Sequence, residues 1–250
     1  MVMGTGSMLV LCLGLGLALE DREFRKPLPL ACLGAAALGL TLTFTRSAWL
    51  GALTGGGALL FLKRPKAAAL LCAVFALSLL IPANPIRERL AQGFDMTQDS
   101  TRERVYMAEA GSGIIRDHPL FGVGDAMESW DGHLGYYRRY MPEDEKGIDN
   151  FKQTERGHLH DNFVQVSAMY GVPALILLLA FFGRCVVDLR ALVRSVRPLK
   201  RGLGWGMGAC LVAWWVNGLF EYNLGSFQST FTLWALLGLA FAAVRLPEES

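Results

Sequence analysis

Three arginines, two histidines and one glutamate stand where phosphate binding and proton transfer would need them. Arg46 is the single charge in the 35 residues from Leu28 to Leu62. A guanidinium inside such an apolar run is costly unless something anionic or aqueous meets it. Its planar fork grips phosphate through two oxygens at once. The plainer account is a helix-end arginine whose head reaches out to the membrane surface. Arg102 and Arg104 sit in "DSTRERVYMAEAGSGIIRDHPLFGVG". Ser100 followed by Glu103 forms a capping box there, which predicts a helix running to about Asp117, before Pro119. Cations near a helix start oppose the dipole. They make sense if an anion binds at that end, or if they pair with acids such as Asp95 or Asp99.

His158 and His160 fall in "RGHLHDNFVQVSAMYG", immediately before an apolar run. In an extended segment, residues two apart share a face, so both imidazoles would point the same way. Histidine beside an anion site suits general-base work. No Cys or carboxylate cluster with recognised spacing completes a metal site around the pair, so no metal is assigned. Glu221, in "FEYN", either orients an acceptor or an arginine, or is an exposed residue at the end of a helix.

The elements that must carry these residues are membrane helices. Of 250 residues, 52% are hydrophobic and 18% charged, and the mean hydropathy is +0.33, high for a soluble domain. The apolar residues form seven runs of spanning or near-spanning length, about 20 residues being required: roughly 2–19, 28–45, 47–62, 67–81, 163–183, 203–220 and 227–244. The run 28–62 is too long for one helix across a core of about 30 Å, so it must turn at Arg46. The loops "EDREFRKP", "KRPK" and "GRCVVDLRALVRSVRPLKR" are rich in Lys and Arg and lie on one side by alternation. That side is cytoplasmic. Arg46, the long segment 83–162 and "EYNLGS" then share the outer face.

Segment 83–162 holds all four histidines and 15 of the 22 acids, far more than a structural connection needs. Within it, "SWDGHLGYYRRYMPEDEKG" offers aromatic rings suited either to sugars or to a membrane-interface belt. The five cysteines lie in or beside apolar runs, with no disulfide framework. The net charge of +2 gives no nucleic-acid footprint. The N-terminus lacks the marks of a cleaved signal peptide, so a retained span is expected, and its abruptness suggests the C-terminal part of a longer protein.

Taken in order, "TRSAWLG", "RERVYM…DHPLFGVG", "HLHDNFVQ…YGVPAL" and "NGLFEYNLG" resemble the O-antigen ligase and polymerase family of bacterial membrane glycosyltransferases, over about residues 40–240. With the apolar runs, the resemblance gives an all-α integral membrane protein of about seven transmembrane helices, against the dozen or so usual in the family, with one large, partly helical periplasmic loop. Residues 1–82 would hold four spans, 83–162 the periplasmic loop with the active site, and 163–250 three spans and a short cytoplasmic tail. It also implies a multi-pass protein of the bacterial inner membrane, working in the periplasm without cofactor or metal. The donor would be an undecaprenyl-diphosphate-linked glycan and the acceptor a lipid A core, a glycan or a protein, with membrane lipid as the surroundings and no nucleic acid.

By the same resemblance His160 is the catalytic base and Arg46 and Arg104 hold the donor diphosphate; from their positions alone, Arg102 joins the diphosphate contacts and His158 and Glu221 are supporting residues. The family pattern H-x-H-N appears here as His158-Leu159-His160-Asp161, and its loop-helix tryptophan is Ala108. A polymerase or protein O-oligosaccharyltransferase of the same family is one alternative. A flippase or exporter of lipid-linked sugar, or a membrane anchor with a sensory outer loop, would come from outside it.

Overall fold

The computed structural model describes residues 2–78, 80–81, 86–88, 99–124 and 158–247. The regular structure in them is helical: α1 (Val2–Glu20), α2 (Pro27–Leu42), α3 (Arg46–Lys63), α4 (Pro65–Ser78), α5 (Asp99–Asp117), α6 (Asn162–Tyr170), α7 (Val172–Val193), α8 (Pro198–Gly218) and α9 (Phe227–Arg245). Short 3₁₀ turns lie at Arg22–Arg25 and Asn223–Gly225. Three helices, α1, α7 and α9, are long and apolar enough to cross a membrane, while α2 and α4 are apolar but shorter. The expected spans at α3 and α8 do form helices of 18 and 21 residues. Their apolar character is diluted, by four glycines in α3 and by five glycines with Lys200 and Arg201 in α8.

The run from Leu28 to Leu62 breaks where its one charge falls. α2 ends at Leu42 and Arg46 is the first residue of α3. Phe44 sits in the left-handed region (φ 49°) between them. The turn is pinned by the Trp49 indole N–H donating to the Leu40 carbonyl (2.8 Å) and by the Thr43 hydroxyl donating to the same oxygen (2.8 Å).

The run expected at 163–183 is not one helix, which corrects the sequence reading. Gly171 (φ 86°) ends α6, and a fresh helix starts at Val172 with Pro173 in its first turn. A glycine is needed there, because a Cβ would stand 2.1 Å from the Leu120 carbonyl oxygen. Proline is tolerated in a first turn, where its missing N–H has no intrahelical partner. The apolar helix therefore begins at Val172 and continues to Val193, through residues read from sequence as a basic loop.

The chain divides into two compact units. The first contains Met1–Ala91, Gly183–Asn217 and Asn223–Ser250. Small residues bring its helices together. A Cβ on Gly16 of α1 would fall 2.3 Å from the backbone of Gly206 in α8, and one on Gly55 of α3 would fall 2.2 Å from the carbonyl oxygen of Ala209. At one end Glu20 accepts from Lys63 (2.6 Å) and Arg201 (2.5 Å), tying α1, α3 and α8. The Lys63 ammonium lies 4.1 Å over the Trp205 ring.

The second unit contains Gln92–Phe182 and Gly218–Tyr222. Its core is Met107, Ala110 and Ile114 from α5, Leu159, and Ala168 and Met169 from α6, with Val123, Val164 and Tyr222 against it. Positions 107, 110 and 114 recur at helical spacing, so α5 buries one stripe and leaves its other side polar. Backbone hydrogen bonds fasten the turn after α5 to α6 and α7: Val123 N–H to the Ala168 carbonyl (2.9 Å) and Val172 N–H to the Pro119 carbonyl (2.8 Å).

Candidate active site

Within the second unit, three elements bring Arg104, His160 and Glu221 together. Arg104 extends from the second turn of α5. One Nη donates to the Phe220 carbonyl (2.5 Å) and the other to Glu221 Oε1 (2.9 Å). The second carboxylate oxygen, Oε2, lies 3.4 Å from His160 Nδ1. Glu221 thus sits between an arginine and a histidine that are 56 residues apart in sequence.

The burial is graded. The side chain of Glu221 is 9% exposed, that of His160 20% and that of Arg104 34%. Burial alone would push the Glu221 carboxyl upward. The hydrogen bond from His160 and the charge and hydrogen bond of Arg104 outweigh it, so the group titrates below the ordinary carboxylate value. Glu221 is ionised at neutral pH and accepts at both oxygens.

The segment 158–161 is held by its neighbours on both sides. Leu159 is buried in the core, and its N–H donates to Oε1 of the fully buried Gln165 (2.6 Å). Asp161 caps α6, its Oδ1 accepting from Phe163 N–H (2.7 Å) and Val164 N–H (2.9 Å). Between these anchors His160 takes a left-handed backbone (φ 52°), uncommon for any side-chain-bearing residue and found at sites whose surroundings over-determine it. The His158 and His160 rings meet edge to face at 4.1 Å, and His158 also lies 6.1 Å from the Tyr222 ring. The two rings were expected to share a face in an extended segment; they meet instead across the left-handed backbone of His160.

Asp161 stands where the resembled pattern has asparagine. Either residue caps a helix through its side-chain oxygen, so this departure leaves the local geometry unchanged. Burial raises the Asp161 carboxyl above its ordinary value, against the two backbone N–H bonds that lower it.

Helix geometry separates the two loop arginines. Two residues along a helix turn about 200°, so Arg102 points to a different side of α5 from Arg104. Arg46 belongs to the first unit, at the start of α3. His133 and the aromatic-rich stretch around it, with the side chains of Ser100 and Glu103, lie outside the described residues. Among the described residues no three His, Cys, Asp or Glu side chains gather as a metal would require.

The sequence reading did not anticipate Gln165 or the Phe220 carbonyl. Nothing marks a backbone oxygen in advance. Gln165 did leave a signal, as an amide among apolar residues five positions after His160, in the helix that begins at Asn162.

Residues 30–179 match the family model described as O-antigen ligase. The chain belongs to the O-antigen ligase family. That match covers Arg46, Arg104 and His160 and stops short of Glu221, which the motif comparison had included. No curated protein matches the chain. The family is one of glycosyltransferase-like membrane enzymes of O-antigen assembly and lipopolysaccharide synthesis, acting on lipid-linked glycans and their acceptors. Its three long apolar helices make this O-antigen ligase family member a membrane protein.

Proposed function

We propose that this O-antigen ligase family member transfers a glycan from undecaprenyl diphosphate to an acceptor hydroxyl at the periplasmic face of the inner membrane, without metal. The acceptor oxygen attacks the anomeric carbon as the bond from that carbon to the diphosphate breaks. The hydroxyl proton passes to His160, and undecaprenyl diphosphate leaves. Seven helical segments cross the bilayer in this reading, the fifth being α7, and 83–162 faces the periplasm. The alternation of basic loops supports that topology.

The observation that carries the reading is the Glu221 carboxylate held between His160 Nδ1 and Arg104. A carboxylate accepting at Nδ1 keeps the proton on that nitrogen and leaves the Nε2 lone pair for the acceptor proton, the arrangement of an oriented general base. The same carboxylate fixes the Arg104 guanidinium. Two of its five N–H donors are used on Phe220 and Glu221, so three remain for phosphate oxygens. Arg46 is assigned to the diphosphate by resemblance and by the cost of a cation in an apolar run. Arg102, on another side of α5, has the weaker claim, and His158 supports the His160 ring.

The deciding experiment supplies purified protein in liposomes with lipid-linked glycan and, in separate reactions, lipid A core, a glycan or a protein as acceptor, in the presence of a chelator. Transfer to one of them is expected. Donor binding with no transfer to any would refute the enzyme reading and favour simple carriage of the lipid.

A further inference from the structure

We propose that the turn His118–Val123 is inserted into the membrane, with Leu120 and Phe121 lying among the acyl chains of the bilayer. These two are 62% and 86% exposed, although the core of their unit lies directly behind them. The core takes Val123 from this turn and neither of its two larger apolar residues.

The backbone cannot turn them inward. Val123 N–H is bonded to Ala168 and Val172 N–H to Pro119, so both ends of the turn are fixed. Gly122 (φ 62°) is pressed so closely on α6 that a Cβ would lie 2.4 Å from the Met169 carbonyl group. The outward presentation of Leu120 and Phe121 is built into the fold.

What covers them follows from the helix to which the turn is fastened. Pro119 bonds to the first residue of α7, a helix apolar and long enough to span. α7 presents Ile176 and Leu177 outward, 59% and 71% exposed, as a lipid-facing surface. From Val172 to Gly183 it carries no charge, and Arg184 follows. Those 12 residues cover only about 18 Å of a hydrocarbon core of about 30 Å. In the topology proposed above, Arg184, paired with Asp188 (2.8 Å), and Arg190 mark the cytoplasmic end of α7, so its charge-free outer end lies within the hydrocarbon. The turn bonded to that end lies there too, with Leu120 and Phe121 exposed on it. Insertion holds the unit bearing Arg104, His160 and Glu221 at the depth where a lipid-borne headgroup sits, but the inference does not depend on what that site does.

Nitroxide probes test it. In a background with the exposed Cys32 and Cys72 changed to serine, single labels are placed at Phe121→Cys, Leu120→Cys, Ile176→Cys and Glu109→Cys, in full-length protein in phosphatidylethanolamine–phosphatidylglycerol vesicles. Collision with oxygen is compared with collision with a water-soluble nickel chelate. Oxygen should dominate at 121 and 120 as at 176, and nickel should dominate at 109, on the exposed side of α5. Nickel access at 120 and 121 equal to that at 109 would overturn the proposal. So would shielding that appears only after polyprenyl diphosphate is added, since the surface would then receive the carrier chain rather than the bilayer.

Discussion

Changing Glu221 to glutamine removes one charge and little volume, yet should silence transfer. The carboxylate accepts at both oxygens, from Arg104 at 2.9 Å and from His160 at 3.4 Å. An amide has one acceptor oxygen and one NH₂. If the amide oxygen faces Arg104, its NH₂ faces His160 Nδ1, which must then present a lone pair and move its proton to Nε2. The base is lost. If the amide is reversed, its NH₂ opposes an arginine that has only donors. Losing the ordered base should slow transfer roughly 10²–10⁴-fold, the usual contribution of positioned proton transfer, or about 2.7–5.4 kcal/mol of barrier at 1.36 kcal/mol per tenfold. Losing a charge-assisted hydrogen bond should cost about 1.5–3 kcal/mol of stability, at the lower end because Arg104 is a third exposed.

Single-turnover transfer with saturating donor separates chemistry from binding. Thermal unfolding against pH supplies a second test. Because the folded-state value of Glu221 is lowered, its stabilisation is complete above the ordinary carboxylate value and disappears as pH falls through the lowered one. The parent should exceed Glu221→Gln in stability at neutral pH, and the difference should close on acidification. Transfer by the variant within a fewfold of the parent would refute the claim that Glu221 orients His160. Loss of donor binding with unchanged single-turnover chemistry would show that Glu221 acts through Arg104 alone.

His160→Ala should slow transfer by roughly 10²–10⁴-fold while donor binding, measured by titration of lipid-linked glycan, stays close to that of the parent; His158→Ala should cost much less. Arg104→Lys should not restore transfer, since a point charge cannot reproduce the fork that meets Phe220, Glu221 and a phosphate together, and near-parent activity at matched expression would show that charge alone matters. Asp161→Asn should keep the cap and Asp161→Ala should lose about 1 kcal/mol. Because burial raises the Asp161 carboxyl, the parent should lose stability relative to Asp161→Asn as pH rises through that raised value, which unfolding at two pH values would detect.

Sequence made the elements legible wherever one property dominated a whole stretch. The lone charge in 28–62 located the turn at Arg46, and Pro119 marked the end of α5 at Asp117, whereas the helix starts at Asp99, before the expected cap at Ser100. The failure at 163–183 has a local cause. Hydropathy averages across Gly171 and Pro173, but the backbone break depends on one positive φ and on a neighbouring turn 50 residues earlier. The site was legible as a set of residues and not as a geometry. His160 and Arg104 stood out by type, whereas the carboxylate between them is contributed by the eight-residue connection between α8 and α9, three helices further along the chain from His160. No periodicity reports a contact of that kind.

A carboxylate beside the site proposed for diphosphate looks self-defeating, since like charges repel. The charge count resolves it. To serve as the proposed base His160 must start uncharged, and with Arg104 at +1 and Glu221 at −1 the three would then sum to zero. When His160 accepts the acceptor proton, the sum becomes +1, just as the anomeric bond breaks and negative charge collects on the departing diphosphate. Positive charge would then appear in the transition state and not before, which is the differential stabilisation that lowers a barrier rather than merely tightening donor binding. An arginine without its carboxylate would hold the donor more strongly in the ground state and gain less at the reacting step. Glu221→Ala should therefore bind donor as well as the parent, or better, while turning it over more slowly. Weaker binding together with slower turnover would place Glu221 as a scaffold for Arg104 and remove it from the charge balance of the reaction.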